Sequence, residues 1–211
     1  MCRGRLFVIS GPSGAGKGTM CKMILKEVDV ALSISMTTRE QRPGEVEGES
    51  YLFISVDEFE RIKNAGGFLE YAKVFGNYYG TPKEEVLKKL EEGKDVILEI
   101  DIQGAAQIKE KFPDGIFVFC LPPSIAELKN RIIKRGVASD DVVKLRTSGV
   151  LDEVSHIDKY DYCIINDDLQ EAVDALKAII TATTQNYKVS DYVYELIEKF
   201  KEEINALPVN K

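Results

Sequence analysis

Cysteine is scarce in this chain: Cys2, Cys21, Cys120 and Cys163 are scattered, with no paired spacing. Two sit inside apolar strand-like runs, so buried free thiols of a reducing compartment fit better than disulfides or metal ligands. Histidine occurs once, at His156 near the end of a helical stretch, where a structural role suits it. No apolar run approaches the roughly 18 residues needed to cross a bilayer. No N-terminal segment combines a charged start, an apolar middle and a small-residue exit, so no signal peptide is expected and the cytoplasm is. Positive charge is also in deficit, with 28 Lys and Arg against 35 Asp and Glu, a net charge of −7. Nucleic acid and anionic membranes repel such a surface. An anionic substrate must therefore be caught by a local cluster of Arg and Lys.

What is present is globular. The chain has 211 residues, 44% of them apolar and 30% charged, enough for one domain with insertions or one and a half ordinary domains. Leu6 to Ser10, Val96 to Ile100, Ile116 to Leu121 and Tyr162 to Ile165 are short continuous apolar runs. Helical stretches separate them, at Gln103 to Lys111, Ser124 to Arg135, Asp140 to Ile157 and Leu169 to Tyr187. Continuous apolar strands alternating with helices predict an α/β fold whose parallel sheet is covered on both faces. Pro122-Pro123 ends one strand, and Ser124 to Glu127 forms a capping box for the next helix.

Between about Ser33 and Pro82 the pattern changes to alternating polar and apolar residues with Gly, Pro and clustered Tyr, predicting a small mixed insertion. The expected division is a core of residues 1 to 32 and 83 to 211 around an insertion of 33 to 82. A polar, charged stretch at about 135 to 146 suits a mobile lid within the core. Residues 189 to 205 keep one apolar helical face, which packs on the core of a monomer or against a second subunit of a homodimer.

The chemistry begins at Gly11-Pro12-Ser13-Gly14-Ala15-Gly16-Lys17-Gly18-Thr19, directly after the first apolar run. A strand ending in closely spaced glycines turns backbone N–H groups onto a phosphate, lysine adds a point charge, and the following helix aims its positive end at the same anion. A chance glycine-rich turn would be indifferent to the lysine. Gly18 stands where the pattern G-x-x-x-x-G-K-[ST] places a hydroxyl for magnesium, and Thr19 is one place late.

Two further constellations stand out. Arg39 and Arg42, three residues apart on a loop with Tyr51 and Tyr79 elsewhere in the insertion, can hold one phosphate from two sides; the alternative is a solvated surface pair. Glu99 and Asp101 end an apolar strand, and Glu70 lies in the insertion. Carboxylates at the exit of a buried strand are costly without a partner, and strand carboxyl ends face the ligand crevice of a parallel sheet. Helix capping is the plain alternative for Glu99 or Asp101.

At this point the chain resembles the guanylate kinase family over roughly residues 5 to 187. The likeness rests on GPSGAGKGT at 11 to 19, SISMTTREQRPGEVEGESYLF at 33 to 53, FLEYAKVFGNYYGTP at 68 to 82, LEIDIQGA at 98 to 105, LPPS at 121 to 124 and INDD at 165 to 168. The resemblance implies a P-loop enzyme that transfers the terminal phosphoryl group of ATP to GMP, with magnesium as cofactor. It implies that residues 11 to 19 and Asn166 bind ATP. Ser35, Glu70, Thr81 and Asp101 would read guanine, while Arg39, Arg42, Tyr51 and Tyr79 would hold its phosphate and Glu45 would orient the arginines. Lys17 and Arg39, with Arg131, Arg135 and Arg146 on the lid side, would carry the catalytic charge.

Two positions depart from the family pattern. With Gly18 in place of a hydroxyl, no direct protein ligand to magnesium is expected; the ion would rest on ATP oxygens and water, with Glu99 and Asp101 as water-bridged partners. Glu99 itself replaces a usual aspartate. A kinase for another monophosphate such as AMP shares the loop, but guanine-reading carboxylates argue against it. A non-catalytic interaction module of this family would be expected to have a degraded loop, whereas Lys17 is present.

Overall fold

The computed structural model describes residues 3 to 134 and 149 to 183. Its centre is a five-stranded sheet in the order β2-β7-β1-β8-β9, built from β1 (Leu6–Ser10), β2 (Ala31–Leu32), β7 (Val96–Glu99), β8 (Ile116–Leu121) and β9 (Tyr162–Ile165). Every pairing in it is parallel. The expected all-parallel core is present, and β1 at its middle is buried along its whole length.

Alternation along β1 divides the core in two. Phe7 and Ile9 face one layer with α1 (Lys17–Ile24) and the helix at 169 to 183, through Met20, Ile24, Val173 and Leu176. Leu6 and Val8 face the other with α3 (Lys83–Glu91) and α4 (Ile102–Lys111), through Val86, Leu90, Ala105 and Ile108. Both faces of the sheet are thus covered, which is what continuous apolar strands require. A third cluster joins α5 (Ile125–Lys134) to α6 (Val150–Ser155) through Leu128, Ile132 and Val150. Half of the expected capping box forms: Glu127 N–H donates to Ser124 Oγ at 3.1 Å, while the Glu127 carboxylate accepts from Arg131 Nε at 2.8 Å.

The segment of changed pattern folds into a second sheet, β4-β3-β6-β5, from β3 (Met36–Thr37), β4 (Leu52–Phe53), β5 (Phe68–Val74) and β6 (Asn77–Pro82). It is mixed, with β3 parallel to β4 and antiparallel to β6, itself antiparallel to β5. It also holds a helix, α2 (Val56–Asn64), whose N-cap Ser55 accepts from Glu58 N–H. Phe59 of that helix stacks on Phe68 at 4.6 Å and Tyr78 at 5.2 Å, an aromatic core separate from the apolar layers above. One glutamine ties α4 to the second sheet: the Gln107 side chain donates to the Tyr71 carbonyl at 2.7 Å.

Three expectations need correction. Strand β7 stops at Glu99 because Ile100 and Asp101 already turn toward α4, which Asp101 caps. The helix expected through Ile157 ends at Ser155 and continues as a 3-10 turn at Ile157–Lys159. Cys21 and Cys120 are buried free thiols, but Cys163 is exposed, because β9 is an edge strand with one covered residue in four. Cys2, the expected lid and the 189 to 205 stretch lie outside the described residues.

Candidate active site

The phosphate loop follows β1 and leads into α1. Gly11, Gly14 and Gly16 all have positive φ, at 133°, 99° and 95°, and two are also required by crowding. A Cβ on Gly11 would stand 2.2 Å from the Cys120 carbonyl, and one on Gly16 would stand 2.1 Å from Asn166 Nδ2. That amide donates to the Ala15 carbonyl at 2.7 Å, so Asn166, itself 3% exposed, braces the loop from behind rather than facing the cleft. Lys17 Nζ bonds the carbonyls of Gly11 and, at 3.0 Å, Pro12. The ammonium thus folds back over its own loop.

A cleft of about 540 Å³ opens in front of the loop. Gly11, Ser13, Gly14, Gly16, Lys17 and Gly18 form one wall and Ser35, Arg39, Arg42, Tyr51, Glu70 and Tyr79 a second; Glu99, beside Gly18, and Asp101, near Glu70, form the floor. Most of the residues singled out from the sequence, distributed over 90 positions, are therefore in one cavity. Pro12 and Ala15 are buried within the loop and Thr19 is exposed on α1, one residue past the cleft. Arg131 lies beside the loop, its Nη1 3.9 Å from the Cβ position of Gly16, and is held by Glu127 at 2.8 Å and the Asn166 carbonyl at 3.0 Å. Arg135 and Arg146 lie outside the described residues.

Arg39 is fixed from several sides. Glu45 accepts from both terminal guanidinium nitrogens, at 3.0 and 2.8 Å, and Tyr79 Oη accepts from Nε at 3.3 Å. The guanidinium also lies over the rings of Tyr51 and Phe53. Burial opposes its charge, but the Glu45 and Tyr79 bonds outweigh that and raise its pKa. Glu45 is shifted the other way: burial pushes its carboxyl up, while bonds from Arg39 and the Arg42 N–H bring it below the usual range. Glu45 does not line the cleft; it aims Arg39 there.

Glu70 is 3% exposed, and its Oε1 accepts from Thr81 Oγ1 at 2.5 Å. Burial, aided by the neighbouring Asp101 charge, pushes its pKa up to about 7 despite the Thr81 bonds. Asp101, also raised by burial, caps α4 by accepting from Gly104 N–H at 2.8 Å while its side chain lines the cleft. Capping and site roles coexist in this residue. Gly18 lies beneath Glu99: a Cβ there would meet both carboxylate oxygens at 3.2 Å.

A family model described as guanylate kinase matches residues 3 to 183. The chain belongs to the guanylate kinase family. The guanylate kinase of Caldanaerobacter subterraneus subsp. tengcongensis is 57% identical over 181 residues, covering 85% of this chain and 88% of that one. That of Clostridioides difficile is 50% identical over 203 residues, covering 96% and 98%. Among solved structures, guanylate kinase from Anaplasma phagocytophilum superposes with a TM-score of 0.74 at 33% identity, over 86% of this chain and 87% of that one.

Several cleft residues escaped the sequence pattern, among them Asp152, Glu153 and Phe75. Asp152 and Glu153 reach the cleft from α6, and Glu153 Oε2 is shielded from solvent with no hydrogen-bond partner among the described residues. Burial raises the Glu153 pKa, partly offset by Lys17. Phe75 sits at the tip of the β5–β6 hairpin with φ of 48°, next to Gly76 at 86°. Two left-handed residues give the tight hairpin its twist, and a non-glycine in that region is strained. The Phe75-Gly76 pair between two β patterns was the available signal; nothing local marked Glu153.

Proposed function

We propose that this chain transfers the terminal phosphoryl group of ATP to GMP, giving ADP and GDP, in purine nucleotide metabolism of the cytoplasm. The observation that carries this is that two unlike walls line one cleft. A phosphate loop with its lysine suits the donor, and an arginine and tyrosine wall ending in a buried Glu–Thr pair suits a purine monophosphate.

Guanine offers N1–H and an exocyclic amine as donors and O6 as an acceptor, so carboxylates beside hydroxyls complement it. In this assignment Glu70 and Asp101 accept and Ser35 supplies a hydroxyl, while Thr81, fully buried and outside the cleft lining, serves the base through its bond to Glu70. Adenine would set a bare N1 acceptor against those carboxylates and leave buried groups unpaired, which can cost roughly 10⁴-fold in kcat/KM. Arg39, Arg42, Tyr51 and Tyr79 hold the GMP phosphate.

Phosphoryl transfer needs positioning and charge neutralisation more than a covalent nucleophile. Lys17 exchanges its loop carbonyls for the donor phosphates, while the loop amides of 11 to 19 grip them and Asn166 keeps the loop in shape. Arg131, Arg135 and Arg146 complete the charge over the moving group, a contribution on the order of 10³-fold. Magnesium fits the oxygen-rich floor: Glu99 and Asp101 would hold it through water, since Gly18 has no hydroxyl to ligate it directly. When bound, it supplies neutralisation of the donor phosphates. The unit of residues 33 to 82 binds GMP, and residues 1 to 32 with 83 to 211, including a lid at about 135 to 146, form the nucleotide-donor core.

The test is a coupled ADP-release assay with GMP, AMP, CMP and UMP, with and without magnesium. Magnesium-dependent turnover preferring GMP is expected. Preference for AMP would overturn the guanine assignment, and absence of turnover with all four would favour a binding module.

A further inference from the structure

We propose that Gly104 is a positioning residue for base selectivity: the side chain it lacks is what seats the Glu70 carboxylate. The inference rests on the assignment of Glu70 to the guanine. Gly104 is the third residue of α4, and its φ lies outside the left-handed region that favours glycine. Nor does the helix want it, since glycine costs about 1 kcal/mol relative to alanine in a helix interior. A glycine that neither backbone nor helix requires calls for a packing reason.

That reason is visible beside it. A Cβ on Gly104 would stand 2.3 Å from Glu70 Oε2 and 2.9 Å from its carboxyl carbon, with Asp101 Oδ1 at 3.4 Å. Glu70 has no slack on the other side, because Oε1 is already taken by Thr81 Oγ1 and the side chain is 3% exposed. The bare Cα of Gly104 is thus one side of a slot whose other side is the Thr81 hydroxyl. Backbone N–H of the same glycine fixes Asp101 at 2.8 Å, so one residue sets the spacing of both carboxylates. A methyl group here would collide with the end of a side chain, not with backbone. The fold can absorb it by moving that end, and the moved end is the group that reads the base.

The test compares wild type, Gly104→Ala, Glu70→Ala and the double variant by steady-state kinetics and thermal unfolding. Gly104→Ala is expected to raise KM for GMP by about 10- to 100-fold, the cost of misplacing hydrogen bonds to a charged group, with kcat and the KM for ATP little changed. In the Glu70→Ala background the same substitution should add no more than about twofold, because the colliding group is gone. An unchanged KM for GMP in Gly104→Ala, or an equal penalty in both backgrounds, overturns the proposal. If Gly104→Ala alone fails to fold and the double variant folds, the collision is confirmed; if both fail, Gly104 is structural and the proposal falls. Wild-type turnover of GMP against AMP separates this from the functional assignment, since loss of guanine preference in wild type would refute that assignment instead.

Discussion

Replacing Glu70 by Gln should make the protein more stable and a poorer GMP enzyme at once, and the gain should depend on pH in a defined way. Burial raises the Glu70 pKa from 4.5 to about 7, so the folded state binds a proton that the unfolded chain has released. Stability from this group is therefore greatest below pH 4.5 and falls as pH rises through the window from 4.5 to 7, where it levels off. At pH 8 the buried charge costs about 3 kcal/mol, and at pH 5 less than about 1 kcal/mol. A neutral amide avoids that cost and still accepts from the Thr81 hydroxyl. Chemical denaturation of wild type and Glu70→Gln at both values should show a gain approaching 3 kcal/mol at pH 8, roughly 6–12 °C in Tm, that nearly vanishes at pH 5. The same variant loses one of two carboxylate acceptors and should raise KM for GMP about tenfold or more. An equal gain at both pH values, or destabilisation at pH 8, would refute the buried-charge reasoning.

The same titration governs binding: GMP should bind the ionised Glu70, so its apparent affinity should rise about tenfold from pH 6 to pH 8, measured by calorimetry against Glu70→Gln to remove the ligand's own phosphate titration. Lys17→Ala should abolish phosphoryl transfer while leaving GMP affinity largely intact, because Lys17 lies on the donor wall; equal loss of both in kinetics and direct binding would contradict the division of the cleft. Arg39→Ala should raise KM for GMP by about 10- to 100-fold, and Glu45→Gln by less, since it loosens the aim of the arginine without removing it. Asn166→Ala should weaken ATP binding by about tenfold through a slackened loop, read as a rise in KM for ATP with KM for GMP unchanged.

The apolar strands were legible because burial on both faces leaves an unbroken run, as in Leu6 to Ser10 and Ile116 to Leu121. Strand β2 was not, since Ala31-Leu32 is too short to carry a pattern and exists by pairing with β7. Local motifs exposed the loop, the arginines and the acidic floor. What joins them is tertiary: the bond from Thr81 to Glu70, the brace from Asn166 to Ala15 across 151 positions, and the approach of Glu153. Asp101 could be read as a cap or as a site group, and no spacing rule could have said that it is placed for both.

Glu99 over Gly18 makes these two positions a single unit for sequence change. A serine acquired at position 18 would arrive 3.2 Å from both oxygens of the carboxylate, so the glutamate must give way by a few tenths of an ångström before the new hydroxyl can serve. Shortening position 99 to aspartate first would open that space. The order of two substitutions therefore decides whether a lineage can move between a hydroxyl-bearing loop and this one without passing through a crowded intermediate.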